Sequence, residues 1–363
     1  MNVEYKVSGS LYPKFFESVK SKLVTIACDK NTKPFADDIE NALIKNGADV
    51  KVCYFDDEDL IPTEEKCTEL KCLANKTDYI LAVGSGSLND MCKYVSTTLD
   101  IPCGVLITAA SMDGYVSKGS AIMVNGVKVT YPVHVPTDIL VDLEIIRNAP
   151  SLMTAAGFGD IIGKYTCLSD WQLSNIVNGE EINKEAFELM EKALSNCVSL
   201  FNDLKEYKPE AVAKLTDALI TAGVSMAICG NSRPASGSEH HQSHFLEMDF
   251  VKRGERVPLH GVKVAIGALI SIELYNYVIT CNIERKEQIA KIVAKLPPVE
   301  RVKTMLKEMG CPVRFSEVGV RREVMEEMLE KAHTVRDRYT ILTFINENGL
   351  MPGIKDYIME NYF

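Results

Sequence analysis

Between Leu23 and Thr108 the chain alternates short apolar, β-branched runs with stretches of helical periodicity, and this alternation limits the possible folds more than any other feature. LVTIACD (23–29), DVKVCYF (49–55), YILAVGSG (79–86) and IPCGVLIT (101–108) read as strands. TKPFADDIENALIKNG, EEKCTELKCLANK and SLNDMCKYVSTTL lie between them and read as helices. Strands separated by helices imply parallel pairing through right-handed crossovers. The expected fold class is therefore α/β: a doubly wound, mostly parallel, Rossmann-like sheet with its ligand beyond the carboxyl ends of the strands.

Beyond about residue 150 the rhythm changes. SLMTAAGFGDIIGKYTCLSDWQLSN, EAFELMEKALSNCVSLFNDL, EAVAKLTDALITAGVSMAICG and VPLHGVKVAIGALISIELYNYVI all carry helical spacing, and PVERVKTMLKEMG and EVMEEMLEKAHTVR continue it. An α/β domain over 1–150 and an all-α domain over 151–363 are expected, with the boundary at Pro150 and Ser151. A length of 363 residues fits two domains.

Composition removes several function classes. The net charge of −10 disfavours a general nucleic-acid binder. The first residues, MNVEYKVSGSLYPKFF, lack the apolar core of a signal peptide. Apolar runs such as ALITAGVSMAICG stop short of the roughly 20 residues that span a bilayer, so no membrane partner is expected. Eleven scattered cysteines without a Cys-x-x-Cys pair read as reduced thiols of a cytoplasmic protein.

Two places carry chemistry. Gly84 and Gly86 follow a strand and precede a helix, where a backbone stripped of side chains can approach a diphosphate. A lone Gly-x-Gly also serves as a plain tight turn. Asp29, at a strand tip, suits either a ribose hydroxyl or the capping of its own turn. Asp113 and Ser117, in the loop-like ITAASMDGYVSKGSAIMVNG, suit a ligand or a turn.

The second place is GSEHHQSHFLEM (237–248). Four of the six histidines, His240, His241, His244 and His260, fall within 21 positions. On a helix His240 and His244 share a face and His241 points elsewhere. An open divalent metal site needs three protein ligands and a vacant position. His260 in PLHG is a candidate third, and Asp160 in AAGFGDIIGKYT a candidate carboxylate, since a buried bare acid is expensive. Lys164, one turn on, would otherwise be the acid's partner, and the histidines a polar helix face.

In order along the chain, GSGSLND, ITAASMDGYVS, AGFGDIIGKYT, SRPASGSEHHQSHFLEM and LHGVKVAIG resemble motifs of the sn-glycerol-1-phosphate dehydrogenases, within the iron-containing alcohol dehydrogenase superfamily. The run RPASG-E-HH–SH is most similar to the bacterial branch associated with arabinose operons. The resemblance implies a dinucleotide-binding domain followed by a dehydroquinate synthase-like helical domain that holds one divalent metal, zinc or nickel ahead of iron. By motif, Asp160, His240 and His260 would be the metal ligands. His244 would contact substrate and relay a proton, and Asp113 would meet substrate hydroxyls. Gly84, Gly86, Ser87, Leu88, Asn89 and Asp90 would hold the cofactor diphosphate. Thr108, Ala109, Ala110, Ser111 and Ser117 would add cofactor contacts, with Asp29 at the adenosine ribose. The cofactor would be NAD(H), with NADP(H) as the alternative through Lys30 or Lys33. A homodimer or larger homo-oligomer is implied.

The expected reaction is reversible reduction of dihydroxyacetone phosphate, a small phosphorylated three-carbon substrate. Its phosphate needs a cation. Arg233 in NSRPASG offers the fork geometry for phosphate oxygens, and Lys164 is the second candidate. A salt bridge in a surface loop is the plainer role for Arg233. Two rival functions share the motifs: a dehydrogenase of glycerol or another polyol, and a cyclising lyase similar to 3-dehydroquinate synthase.

Overall fold

The computed structural model describes residues 1–6 and 11–363, so four residues of the N-terminal stretch lie outside the described ones. The chain divides into two compact units, Met1–Ala110 with Gly114–Pro150, and Ser111–Asp113 with Ser151–Phe363.

The first unit runs β1 (Asn2–Tyr5), α1 (Pro13–Val19), β2 (Leu23–Asp29), α2 (Lys33–Lys45), β3 (Asp49–Phe55), α3 (Glu64–Leu73), β4 (Tyr79–Gly84), α4 (Gly86–Leu99), β5 (Cys103–Ile107), β6 (Gly119–Val124), β7 (Val127–Pro132), β8 (Asp138–Val141) and α5 (Leu143–Arg147). Six strands form one sheet in the order β1-β8-β5-β4-β2-β3. Every pairing in it is parallel. The sheet is central because its strands are apolar on both faces: all six residues of β4 and all five of β5 are buried. Around β2 and β4, Phe15, Ile39, Leu43 and Tyr79 close the core.

Local chemistry sets the helix ends. Thr63 accepts a hydrogen bond from the Lys66 amide, and Glu64 and Glu65 sit in the first turn of α3. Pro34 opens α2. The chain leaves β2 for the edge strand β3 and then returns to place β4 on the other side of β2. The winding reverses there, which makes the carboxyl ends of β2 and β4 the topological switch point.

Two parts of this unit differ from the sequence reading. The segment read as one loop after β5 contains β6, which pairs antiparallel with β7 as a separate hairpin. Its alternating burial, one face in and one out, gives a weaker apolar signal than the parallel strands. The polar N-terminus supplies β1, which adds to β8 at the sheet edge.

The second unit is helical: α6 (Ser151–Ile162), α7 (Lys164–Asn178), α8 (Lys184–Ser199), α9 (Phe201–Leu204), α10 (Pro209–Cys229), α11 (Ser238–Arg253), α12 (His260–Val278), α13 (Lys286–Val293), α14 (Val299–Glu308), α15 (Arg322–Lys331), α16 (Ile341–Glu347) and α17 (Lys355–Tyr362). SLMTAAGFGDIIGKYTCLSDWQLSN is two helices, broken at Gly163. The apolar runs also extend further than read. Helices α10 and α12, 21 and 19 residues long, have the length and hydropathy to cross a bilayer, but the relevant window of α12 is 89% buried in this unit. Its apolar character is spent on the protein's own core.

Close helix packing follows from small residues. A Cβ on Gly261 would stand 1.9 Å from the Ala156 carbonyl oxygen, so only glycine lets α12 lie this near α6. Gly267 does the same for α11, where a Cβ would fall 2.9 Å from the Glu239 carbonyl oxygen. These contacts bring residues from α6, α11 and α12 to one point.

Candidate functional site

At the switch point of the first unit, Asp29 ends β2, Gly84 ends β4 and Thr108 follows β5. Gly84 pairs with Ile107 in register, so the last two are neighbours. Asp29 Oδ1 accepts from the amides of Asn31 and Thr32, at 3.0 and 2.9 Å, and from the Thr32 hydroxyl. The carboxylate thus caps its own turn through one oxygen, and Oδ2 has no hydrogen-bond partner among the described residues. Ser85 offers no side-chain cap to α4, and among the described residues no side chain accepts from the first-turn amides of that helix. Ser85, Gly86 and Ser87 are only half-buried. Unpaired amides with a helix dipole behind them favour an anion.

The remaining residues expected at this edge face inward. Leu88 is buried. Asn89 donates to the Tyr115 carbonyl at 3.3 Å. Asp90 accepts from the Ala121 amide and pairs with Lys93 at 3.0 Å. Ser117 donates to the carbonyls of Gly114 and Gly119 and accepts from Lys93. Ala109 receives the Tyr115 hydroxyl at its carbonyl. Ala110 is buried, and Ser111 nearly so.

The second unit gathers Asp160 from α6, His240 from α11 and His260 from the first position of α12. One ligand atom of each lies within 4.8 Å of the others. His240 Nε2 stands 3.8 Å from Asp160 Oδ1. Two ligands of one tetrahedral zinc ion would be about 3.4 Å apart for bonds near 2.1 Å. Burial, followed by Lys164 and His260, holds His240 well below the usual imidazole range. It is neutral, so its nearness to Asp160 is not an ion pair. His240 Nδ1 lies 2.7 Å from Glu239 Oε1, which leaves Nε2 as the lone-pair nitrogen. Glu239 is itself fixed by the Gly237 amide and the Thr166 hydroxyl. Burial, with Asp170 second, pushes its carboxyl up to about 7. A neutral imidazole held by Glu239, a second imidazole and a carboxylate held by Lys164 form the donor set of a borderline divalent cation.

Lys164 joins the two acids. Its ammonium donates to Asp113 Oδ2 at 2.6 Å, Asp160 Oδ1 at 2.7 Å and the Ala235 carbonyl at 2.9 Å, which accounts for all three of its donors. Burial alone would lower the Lys164 pKa, but Asp113 and Asp160 outweigh it and the value rises. Burial, with Asp160 next, raises Asp113 against the pull of Lys164. The Asp113 amide also donates to Asp160 Oδ2 at 2.9 Å, which ties Ser111–Asp113 to the helical unit.

His244 shares the helix face of His240. Its ring centroid is 6.3 Å from that of His240 and 6.0 Å from that of His260. Nε2 lies 2.9 Å from Arg336 Nη2. A guanidinium can only donate, so Nε2 accepts and the proton sits on Nδ1, toward Glu247 Oε2 at 3.3 Å. Burial lowers the His244 pKa to about 4 despite Glu247. His241 points elsewhere, and neither of its ring nitrogens has a partner among the described residues. Arg233 is 2% exposed rather than in a surface loop. Its Nη2 donates to Glu180, the Asp170 carbonyl and the Tyr339 carbonyl.

Sequence reasoning did not single out Glu247, Arg336 or Arg338. Glu247 follows His244 by three residues on α11 and its other oxygen pairs with Lys263 at 3.0 Å, so helical spacing could have found it. The two arginines lie some ninety positions beyond His244, and no local spacing links them.

Residues 9–150 match the family described as iron-containing alcohol dehydrogenase. The chain is 33% identical over 349 residues to the NAD(P)+ glycerol-1-phosphate dehydrogenase of Bacillus licheniformis, covering 94% of this chain and 87% of the relative. It is 33% identical over 345 residues to the enzyme of the same name from Halalkalibacterium halodurans, covering 90% and 86%. Among solved structures, a probable glycerol dehydrogenase from Sinorhizobium meliloti superposes with a TM-score of 0.69 at 17% identity, over 99% of this chain and 98% of that one. That likeness shows the shared fold.

Proposed function

The chain belongs to the glycerol-1-phosphate dehydrogenases of the iron-containing alcohol dehydrogenase superfamily, and on that premise we propose that it reduces dihydroxyacetone phosphate reversibly to sn-glycerol-1-phosphate with NAD(P)H. The observation that carries the reading is the convergence of Asp160, His240 and His260 within 4.8 Å. When bound, a zinc or nickel ion would polarise the ketone oxygen and a reduced nicotinamide would supply the hydride.

The protein's own residues bind and orient. Asp160 Oδ, His240 Nε2 and a ring nitrogen of His260 would hold the ion, and Glu239 keeps His240 in the tautomer that can ligate. Lys164 keeps Asp113 and Asp160 side by side without mutual repulsion. Asp113 then faces a substrate hydroxyl as an acceptor. His244, neutral and held between Arg336 and Glu247, can take a proton at one nitrogen and release it at the other. The uncapped start of α4 supports the diphosphate, and the second oxygen of Asp29 supports a ribose hydroxyl, which favours NADH over NADPH.

The test is NADH oxidation by metal-stripped protein refilled with zinc, nickel or iron. A metal-dependent rate with dihydroxyacetone phosphate well above that with dihydroxyacetone is expected. Turnover of the unphosphorylated ketone alone would assign a polyol dehydrogenase. No rate with any ketone would favour the lyase.

A further inference from the structure

The loop between α15 and α16 carries Arg336 and Arg338. Arg336 comes next to the metal cluster through its hydrogen bond to His244 Nε2, whose ring neighbours His240 and His260. Arg338 donates from Nη1 to the Ser236 carbonyl and from Nη2 to the Ser232 hydroxyl at 3.0 Å. Neither guanidinium forms a salt bridge among the described residues. Both line a cavity of about 600 Å³ together with Arg233, His333, Asn178 and Asn231.

Three acids, Glu180, Asp337 and Glu347, share this lining, and none of them pairs with Arg336 or Arg338 among the described residues. Glu180 is taken by Arg233 at 2.8 Å. Asp337 and Glu347 are exposed. Glu247, the acid whose charge acts on Arg336, is shared between Lys263 and His244. Among the described residues, Arg233 has no acceptor for Nε or Nη1. Burial lowers the Arg338 pKa to about 10, with Arg233 and Arg336 adding to the effect. Arg336 and Arg338 are half-buried guanidinium groups with no carboxylate partner among the described residues, and an anion with several oxygens suits forks placed in this way.

We propose that Arg336 and Arg338 read the phosphate of the substrate, and that Arg233 acts behind them as a positioning residue, holding their loop through the Tyr339 carbonyl. The inference rests on the function proposed above and names the groups that make it specific for a phosphorylated ketone. Lys164, whose donors are all occupied, serves the acids instead. The proposal sets the phosphoryl group, one short C–O–P link from the reacting ketone, beside His244, which Arg336 meets at 2.9 Å. The guanidinium fits two phosphate oxygens at once, which an ammonium at the same place would not.

The test compares zinc-loaded wild type with Arg336→Ala, Arg338→Ala and the two lysine variants. Three quantities are read: kcat and KM for dihydroxyacetone phosphate and for dihydroxyacetone, inhibition by inorganic phosphate, and calorimetric binding of inorganic phosphate. Each alanine variant should lower kcat/KM for the phosphorylated ketone about 100-fold, mainly through KM, and weaken phosphate binding comparably. The preference over dihydroxyacetone should shrink by the same factor, and lysine should restore part of it. Metal content and thermal midpoint serve as controls, and if an alanine variant does not fold its lysine counterpart carries the comparison. An unchanged preference and unchanged phosphate binding, in a wild type that does prefer the phosphorylated ketone, would overturn the inference and leave the proposed function standing. A wild type without ketone turnover would defeat the proposed function, and phosphate calorimetry on the same variants would still decide whether these arginines form an anion site.

Discussion

In the α/β unit, β4 and β5 are buried throughout and apolar, while Asp29 and Asp138 stand at strand ends. In the helical unit, α11 buries Glu239, His240, His241 and Gln242 in succession, and α6 and α7 bury Asp160, Lys164 and Asp170 around it. The first unit presents half-buried, uncapped backbone amides at the start of α4 beside the Asp29 carboxylate. The second offers side chains taken out of water and held by one another. Binding through backbone tolerates change around it, whereas a buried network of charges does not, since each member is the counterion of the next.

The largest effect should come from removing a charge at the centre of that network. Lys164→Ala leaves Asp113 and Asp160 buried beside each other with no cation, and should destabilise the protein by about 3–5 kcal/mol in a denaturant titration. A loss under about 1 kcal/mol would mean that the two acids share a proton without help from Lys164. Gly261→Ala ranks next. Its Cβ would meet the Ala156 carbonyl oxygen, so α12 must withdraw from α6. We expect roughly 1–3 kcal/mol of destabilisation. Zinc affinity should fall as well, although no ligand has been replaced, because His260 opens α12.

The α/β unit should respond more gently. Asp29→Ala removes the acceptor for two turn amides, at about 1 kcal/mol, and should raise KM for NADH several-fold with little change in kcat. Equal KM values in mutant and wild type would restrict Asp29 to its turn. The mildest response concerns pH. Burial raises the thiol of Cys28 to about 11 and those of Cys53 and Cys67 to about 12 from an ordinary value of 9.0. Raised folded-state values mean the unfolded chain loses these protons first, so stability present below pH 9 is lost as pH climbs toward 11 and 12. The thermal midpoint should fall over that window, less so in a Cys53→Ala variant.

What the sequence made legible follows the same division. β2 and β3 run over the residues assigned to them, because an apolar parallel strand bounded by turn residues can be read locally. β6 and β7 escaped, since a hairpin buried on one face carries half that signal. In the helical unit the histidine run drew attention to α11 by its rarity, and resemblance supplied the residue roles. Proximity of Asp160 to His260 depends on the glycine contact between α6 and α12, which spacing along the chain does not encode. Arg336 lies still further out of reach: its relation to His244 exists only after α15 and α16 have packed.

The central claim is that a carboxylate and two imidazoles grip one divalent ion and that ketone reduction depends on it. Zinc titration of stripped protein, followed by NADH oxidation with dihydroxyacetone phosphate at each point, tests this directly. The account predicts activity rising to a plateau at one ion per chain in the wild type, with both binding and rate lost together in Asp160→Ala and His260→Ala. Full turnover by the stripped protein, or undiminished zinc binding in both variants, would contradict it.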